Sequence, residues 1–197
     1  SEFFEAYTQR KNYSFQKEGE EVINNYGFDF LKRGHSKRVK RLIRGEFESV
    51  KFLICDYKFQ TGSGKSRQTH EQTIMIVDLD FDLPDFILRS EGLFDKVAGI
   101  IGFSDINFDS HPKFSKMFYL KGENEKLIRN VFSNDILSFY ENNENIITES
   151  NNKSLLCCER KTTIEQNENK IDNFINKGIN IVKLFKEGKI WLTLLLL

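Results

Sequence analysis

The stretch Phe52-Leu53-Ile54-Cys55-Asp56-Tyr57-Lys58-Phe59-Gln60, then Thr61-Gly62-Ser63-Gly64-Lys65-Ser66-Arg67, then Gln68-Thr69-His70-Glu71-Gln72-Thr73-Ile74-Met75-Ile76-Val77, reads as strand, turn, strand. Both flanks are rich in β-branched and aromatic residues, which suit a pleated, half-buried surface. Between them, Gly62 and Gly64 supply a permissive backbone, and Ser63, Lys65, Ser66 and Arg67 keep the connection wet. Phe52–Phe59 and Thr69–Val77 are therefore expected to pair antiparallel, with Lys65 exposed.

The same turn imitates the tail of a phosphate-binding loop, and Ile74-Met75-Ile76-Val77-Asp78 imitates the metal-binding strand that goes with one. A phosphate-binding loop needs a glycine five residues before Gly64, where this chain has Phe59. It also needs a helix opening at Lys65-Ser66, so that backbone N–H groups face the phosphates. A strand follows instead, and no nucleotide is expected.

Working outward, residues 1–11 read as a short helix and Lys17 to Asn25 as another, stopped at Gly27. Arg38 to Phe47 and Val50 to Gln60 read as strands broken at Glu48-Ser49. The strand after the turn is expected to run to about Leu83, with Asp78, Asp80 and Asp82 on its wet face. A calcium loop beginning at Asp78 would need glycine and glutamate where Leu83 and Arg89 stand. Further on come a strand at Phe86 to Arg89, a helix over 91–103 and a strand from Lys116 to Lys121. Leu127, Ile128, Val131 and Phe132 recur at helical spacing, and Ser133 or Asn134 caps a helix carrying Ile136, Leu137 and Tyr140. Ile146–Glu149 and Leu155–Arg160 form a hairpin through Asn151-Asn152. A last helix carries Ile171, Phe174, Ile175, Ile179, Val182 and Phe185 in one stripe. Hairpin-connected strands with helices between and after them describe an α+β fold, a mainly antiparallel sheet with helices packed on it. No Pro/Gly/Ser-rich linker divides residues 1–197, so one domain is expected.

Lys+Arg and Asp+Glu number 29 each, so any electrostatic site must be local, and net neutrality disfavours a nucleic-acid coat. The 19 phenylalanines predict an aromatic core. Cys55, Cys157 and Cys158 lack the paired spacing of a zinc cage, and adjacent Cys157 and Cys158 should point to opposite faces of a strand. Buried, reduced thiols are expected. The apolar end, Ile190 to Leu197, falls well short of the roughly 20 residues a membrane helix needs.

Candidate chemistry is sparse. Asp109-Ser110-His111 with Asp105, and His70 as a further ligand, could serve a metal-assisted hydrolase or an acid–base pair. No HxH or HExxH spacing accompanies them, and a loop anchor is the plainer role for His111. The strongest charge feature is Lys32 to Arg44, seven Lys/Arg with no acidic residue. Lys37, Arg38, Lys40 and Arg41, with Lys65 and Arg67 of the turn, are the candidates for binding anions of acidic lipid or nucleic acid.

Several strings resemble an uncharacterised bacterial family of cyanobacterial type. They are Asp56-Tyr57-Lys58-Phe59, Thr61-Gly62-Ser63-Gly64-Lys65, Arg67-Gln68-Thr69-His70 and Gln72-Thr73. Leu83-Pro84-Asp85-Phe86, Leu88-Arg89, Gly92-Leu93-Phe94-Asp95-Lys96, Phe108-Asp109-Ser110-His111-Pro112 and Phe114-Ser115 complete them, spanning residues 38–132. Members often carry membrane spans ahead of this domain, and no activity comes with the resemblance. It implies a soluble, cytoplasmic domain at the inner face of a membrane, with the turn and Phe108 to Pro112 as places to look for a site. A start at Ser1 without methionine agrees with the soluble part of a longer, membrane-anchored protein.

No complete catalytic signature is present, and no cofactor or resident metal is expected. The reading is a non-enzymatic interaction or regulatory module whose protein partner the sequence does not name. The alternatives are an anion-binding domain and the metal-assisted hydrolase.

Overall fold

A computed structural model of the chain describes residues 2–90, 105–160 and 162–195. In chain order the described elements begin with α1 (Glu2–Lys11), β1 (Ser14–Glu18), α2 (Glu20–Asn24), α3 (Asp29–Lys32), β2 (His35–Phe47) and β3 (Val50–Thr61). A single 3-10 turn at Gly64–Ser66 leads to β4 (Gln68–Asp78), then β5 (Phe86–Ser90), α4 (Pro112–Met117) and β6 (Phe118–Lys121). The chain continues through α5 (Glu125–Val131), α6 (Asn134–Glu141), β7 (Ile146–Asn151), β8 (Ser154–Glu159) and α7 (Glu168–Leu195). The strands form one open, antiparallel sheet in the order β1-β2-β3-β4-β8-β7-β5-β6. The fold is α+β, as the hairpin pattern predicts.

Residues directly opposite each other in an antiparallel pair share a face, and neighbours along a strand alternate. The register Ile54↔Met75 and Met75↔Cys157 therefore puts those three on one face, and Cys55↔Ile74 and Ile74↔Cys158 puts those on the other. Cys157 and Cys158 do point to opposite sides, and all three cysteines are buried and free. Helices α1 and α4 to α7 cover the first face, whose core holds Phe86, Phe114, Phe132 and Phe185. Phe86 lies 5.1 Å from the Phe132 ring centre and 5.4 Å from that of Phe185. Each such ring contributes about 2–3 kcal/mol by leaving water. The second face is covered by α2, α3 and the residues between them, through Ile23, Phe28, Phe30 and Leu31.

The strand–turn–strand forms as expected, with Phe52↔Val77 through Thr61↔Gln68 in unbroken register. Helix α7 buries the stripe Ile171, Phe174, Ile175, Ile179, Val182 and Phe185. It lies so close to the sheet that a Cβ on Gly178 would overlap Met75 Sδ.

Three expectations need correction. Lys17 to Asn25 is not one helix: Ser14–Glu18 is the edge strand β1, paired with β2 as Ser14↔Arg44, and only Glu20–Asn24 is helical. β4 stops at Asp78 and does not reach Leu83, because its partner β8 begins at Ser154, opposite Asp78. Beyond it, Leu79 N and Leu83 N donate to Lys153 O and Asn152 O in the β7–β8 turn, and Asp82 pairs with Lys153 at 2.7 Å. The strand expected from Lys116 begins at Phe118, since Pro112 opens a short helix, α4. Helix α3 is an addition. The helix expected over 91–103 lies outside the described residues.

Candidate functional site

The sheet separates His70 from His111. His70 lies on β4 opposite Phe59, whose ring it stacks on at 4.8 Å, and its Nε2 is 2.8 Å from Thr61 Oγ1. That is the second face, with Phe59. His111 sits at the start of α4, which packs on the first face through Phe114. Its Nδ1 is 3.3 Å from Glu141 Oε1, and the same oxygen accepts Phe114 N at 3.0 Å. Glu141 thus fastens the start of α4 to the end of α6, and His111 is part of that fastening. Asp105 accepts Leu120 N through Oδ1 at 3.0 Å, and Asp109 is exposed on the turn before α4. His70, the further ligand considered for a metal-assisted hydrolase on Asp105, Asp109 and His111, therefore lies across the sheet from His111. Among the described residues no three His, Cys, Asp or Glu side chains group to hold a metal.

The basic candidates divide differently. β2 begins where β3 ends, with His35↔Gln60 in register and His35 Nε2 3.0 Å from Gly62 O. Lys37 and Arg38 of β2 therefore share one end of the sheet with Lys65 and Arg67 of the turn, and Lys40 lies two residues further along. Arg41 leaves this group. It occupies a bulge with φ 51°, donates through Nε to Asp56 Oδ2 and through Nη1 to Ile164 O at 3.1 Å, and lies 4.7 Å over the Phe4 ring. Its charge is spent inside the protein.

A third group of charges escaped the sequence reading. Ile87 faces Lys121 on one side and Glu149 on the other, so Arg89, Lys121 and Glu149 all lie on the second face at the β7-β5-β6 end. They are 5%, 2% and 4% exposed. Charged residues this buried are rare unless paired. Glu149 is paired: its carboxylate accepts Asp29 N and Phe30 N at the start of α3, the second at 2.9 Å. Arg89 Nη2 stands 3.9 Å from Glu149 Oε2, within reach of its charge but too far for a hydrogen bond. Arg89 Nε, Arg89 Nη2 and Lys121 Nζ are buried with no hydrogen-bond partner among the described residues.

The electrostatics follow from that inventory. Burial pushes the Glu149 carboxyl up to about 7, against the two backbone N–H donors and Arg89, which pull it down. Burial first, and the Arg89 charge second, lower Lys121. Arg33, which follows α3, is lowered by its burial and by Arg89. A cleft of about 230 Å³ opens here between the start of α3 and the strand ends, lined by Asp29, Lys32, Ile87, Lys121, Glu123 and Glu149 among others. Asp29 is matched by Lys32 at 3.0 Å, the nearby Asp85 accepts Asn152 N, and Glu123 is exposed at the rim. Around the cleft, Asp29, Asp85, Glu123 and Glu149 stand with Lys32 and Lys121. The signal available beforehand was the placing of Arg89 and Lys121 directly after the apolar runs Phe86-Ile87-Leu88 and Phe118-Tyr119-Leu120, and of Glu149 just after Ile146-Ile147-Thr148.

No protein-family model matches this chain, and no curated protein matches it. Among solved structures it is similar to the mycobacterial trehalose monomycolate transport factor A, TtfA, with a TM-score of 0.63 and 12% sequence identity. The likeness covers 95% of this chain and 92% of that one, and it is a likeness of fold. No helix among the described residues is long and apolar enough to cross a membrane.

Proposed function

We propose that this domain is a non-enzymatic interaction module with a lipid-related, transport-associated role. The observation that carries the reading is the state of Glu149. It is the buried carboxylate whose protonation is shifted toward neutrality, which is what a general base needs. Yet both its oxygens are occupied by backbone N–H groups of α3, so it acts as a fixed counter-charge and a fastening for that helix. The histidines that could have completed an acid–base set are engaged on opposite faces. Support for the setting comes from the near full-length likeness to a protein described as a transport factor for trehalose monomycolate. Purified protein is expected to show no turnover of phosphoester, carboxylic-ester or peptide substrates. Reproducible turnover that disappears in Glu149→Gln or His111→Ala overturns the reading.

A second reading concerns the outer surface. Lys37, Arg38, Lys65 and Arg67 are brought to one end of the sheet by the β2–β3 register, which suits contact with the anionic inner leaflet of a membrane. Binding to anionic vesicles should weaken steeply as salt rises toward physiological strength. Serine at all four positions should abolish it. Vesicle binding that is unchanged in that variant, or a preference for nucleic acid over vesicles, rules this surface out.

A further inference from the structure

At the corner beside the β2–β3 hairpin the second face of the sheet opens into a cleft. Its volume, about 470 Å³, falls in the range of about 300–1,000 Å³ usual for small-molecule sites. One row across four strands makes the floor: Ser14 faces Arg44, Arg44 faces Leu53, and Leu53 faces Ile76. In the next row Glu46 faces Lys51, and Asp78 follows Val77, the partner of Phe52, so it stands on the other side of Lys51. Val22 and Tyr26, from α2 and the residues after it, form a half-buried wall. Glu46, Lys51 and Asp78 are exposed, and Arg44 is half-buried. Two cations and two carboxylates line the cleft, so its charge balances. Opposite charges directly across a strand pair attract. Yet among the described residues Lys51 forms no ion pair with Glu46 or Asp78, and neither Glu46 nor Lys51 has a side-chain hydrogen bond. Arg44 donates through Nη1 to Gln16 Oε1 at 2.9 Å, and Asp78 Oδ1 accepts Ser154 Oγ at 3.2 Å, which leaves most of the hydrogen-bonding capacity of both groups open.

We propose that this cleft binds an uncharged, hydroxyl-rich ring of the saccharide class. The inference rests on the reading of the domain as a non-enzymatic binder and names what is bound. A carboxylate only accepts hydrogen bonds and an ammonium only donates them, whereas a hydroxyl does both. A hydroxyl between Glu46 and Lys51, or between Lys51 and Asp78, donates to the carboxylate and accepts from the ammonium, and each bond strengthens the other. Neighbouring hydroxyls on a rigid ring keep that alternation at fixed spacing, so little freedom is lost on binding. A charged ligand of either sign would meet as many like charges as opposite ones. The C–H face of a sugar ring suits the Val22 side chain and the Tyr26 ring on the wall.

Calorimetric titration of the whole chain tests this, with methyl glucoside, maltose, glucose 6-phosphate, glycerol and octyl glucoside below its micelle concentration as probes. Maltose should bind more tightly than glycerol, and glucose 6-phosphate should bind no more tightly than methyl glucoside. Lys51→Met and Glu46→Met each remove one exposed partner. Each should weaken maltose binding by about fivefold or more, as losing a charge-assisted hydrogen bond does. Both should melt close to the parent, as surface changes do. Octyl glucoside binding about tenfold tighter than methyl glucoside assigns the ring to a glycolipid head, and equal affinity assigns it to a free saccharide. The site is overturned by any of three results: no binding of any sugar, glycerol matching maltose, or maltose affinity unchanged in both variants. Tighter binding of glucose 6-phosphate than of methyl glucoside overturns the preference for an uncharged ring, and the proposal with it. Glucose released from maltose in the same cells would overturn the non-enzymatic reading and leave the site standing.

Discussion

Arg41 Nε donates to Asp56 Oδ2 across β2 and β3, so the most basic run of the chain has one member turned inward. The same carboxylate accepts Thr73 Oγ1 through Oδ1 at 2.6 Å, and Thr73 Oγ1 in turn accepts Ile164 N at 2.8 Å. Arg41 Nη1 closes the circuit on Ile164 O. Four residues, one each from β2, β3, β4 and the segment before α7, thereby tie that segment to the first face of the sheet. A satisfied buried network of this kind fixes one arrangement because each member is costly to leave unpaired.

Asp56→Ala should therefore destabilise the fold by about 2–4 kcal/mol, since it strands Arg41 and Thr73 together. Asp56→Asn should cost less, because an amide oxygen still accepts one of the two donors. Urea unfolding of both variants measures this. A loss under about 0.5 kcal/mol in the alanine variant, the usual range for a surface change, would mean that the circuit is not held in solution.

Glu149 links stability to pH. Its carboxyl titrates near 7 in the folded chain, against 4.5 as its ordinary value. Between those values the folded state binds more protons than the unfolded one, so stability falls as pH rises through that window and levels off above about 7. The groups around it are Asp29, Arg33, Arg89, Lys121 and Cys158. Other titrations contribute to any raw curve, so the expected signal is a difference. Parent stability minus that of Glu149→Gln should drop by about 1–3 kcal/mol between pH 5 and 8, one pKa unit being worth about 1.4 kcal/mol. Parallel curves for the two proteins refute this.

What the sequence reveals, and what it hides, follows from where each cause lies. The strand–turn–strand at 52–77 is legible because period-two burial and turn chemistry are both local. Helix α3 is not, since Asp29-Phe30-Leu31-Lys32 is too short to show a period. Its first N–H groups are satisfied by Glu149 from a strand about 120 residues away. β1 is mostly exposed and polar, and is a strand only because β2 offers it an edge. The same limit hid the cleft. Arg89, Lys121 and Glu149 can be seen to end apolar runs, but only the β6-β5-β7 register puts them on one face.

Gly178 is a packing prediction. It lies on α7 where a Cβ would overlap Met75 Sδ and come within 3.3 Å of Cys157 Sγ. Alanine would ordinarily favour a helix over glycine by about 1 kcal/mol. Here the overlap should win, because lifting α7 from the sheet disturbs the core of the whole first face, and overpacking costs about 1–3 kcal/mol. Gly178→Ala is expected to be net destabilising in thermal and urea unfolding. A stabilised variant would show that Met75 can swing aside at little cost.

The turn between β3 and β4 separates backbone from side chain in two neighbouring positions. Gly62 has φ +71° and Gly64 φ +54°, in the region that side chains rarely adopt. Ser66 Oγ donates to Ser63 O at 2.8 Å, closing the 3-10 turn on itself with Lys65 pointing to water. Lys65→Ala should then shift stability by less than about 0.5 kcal/mol. Gly62→Ala should cost about 1–2 kcal/mol, from the left-handed backbone and from the approach of its Cβ to Ser66 O. ATP should bind neither the parent nor Lys65→Ala, because Gln68 already belongs to β4 and no α-helix opens at Lys65-Ser66 to present N–H groups to phosphates. ATP binding that is lost in Lys65→Ala would make this turn a nucleotide site after all.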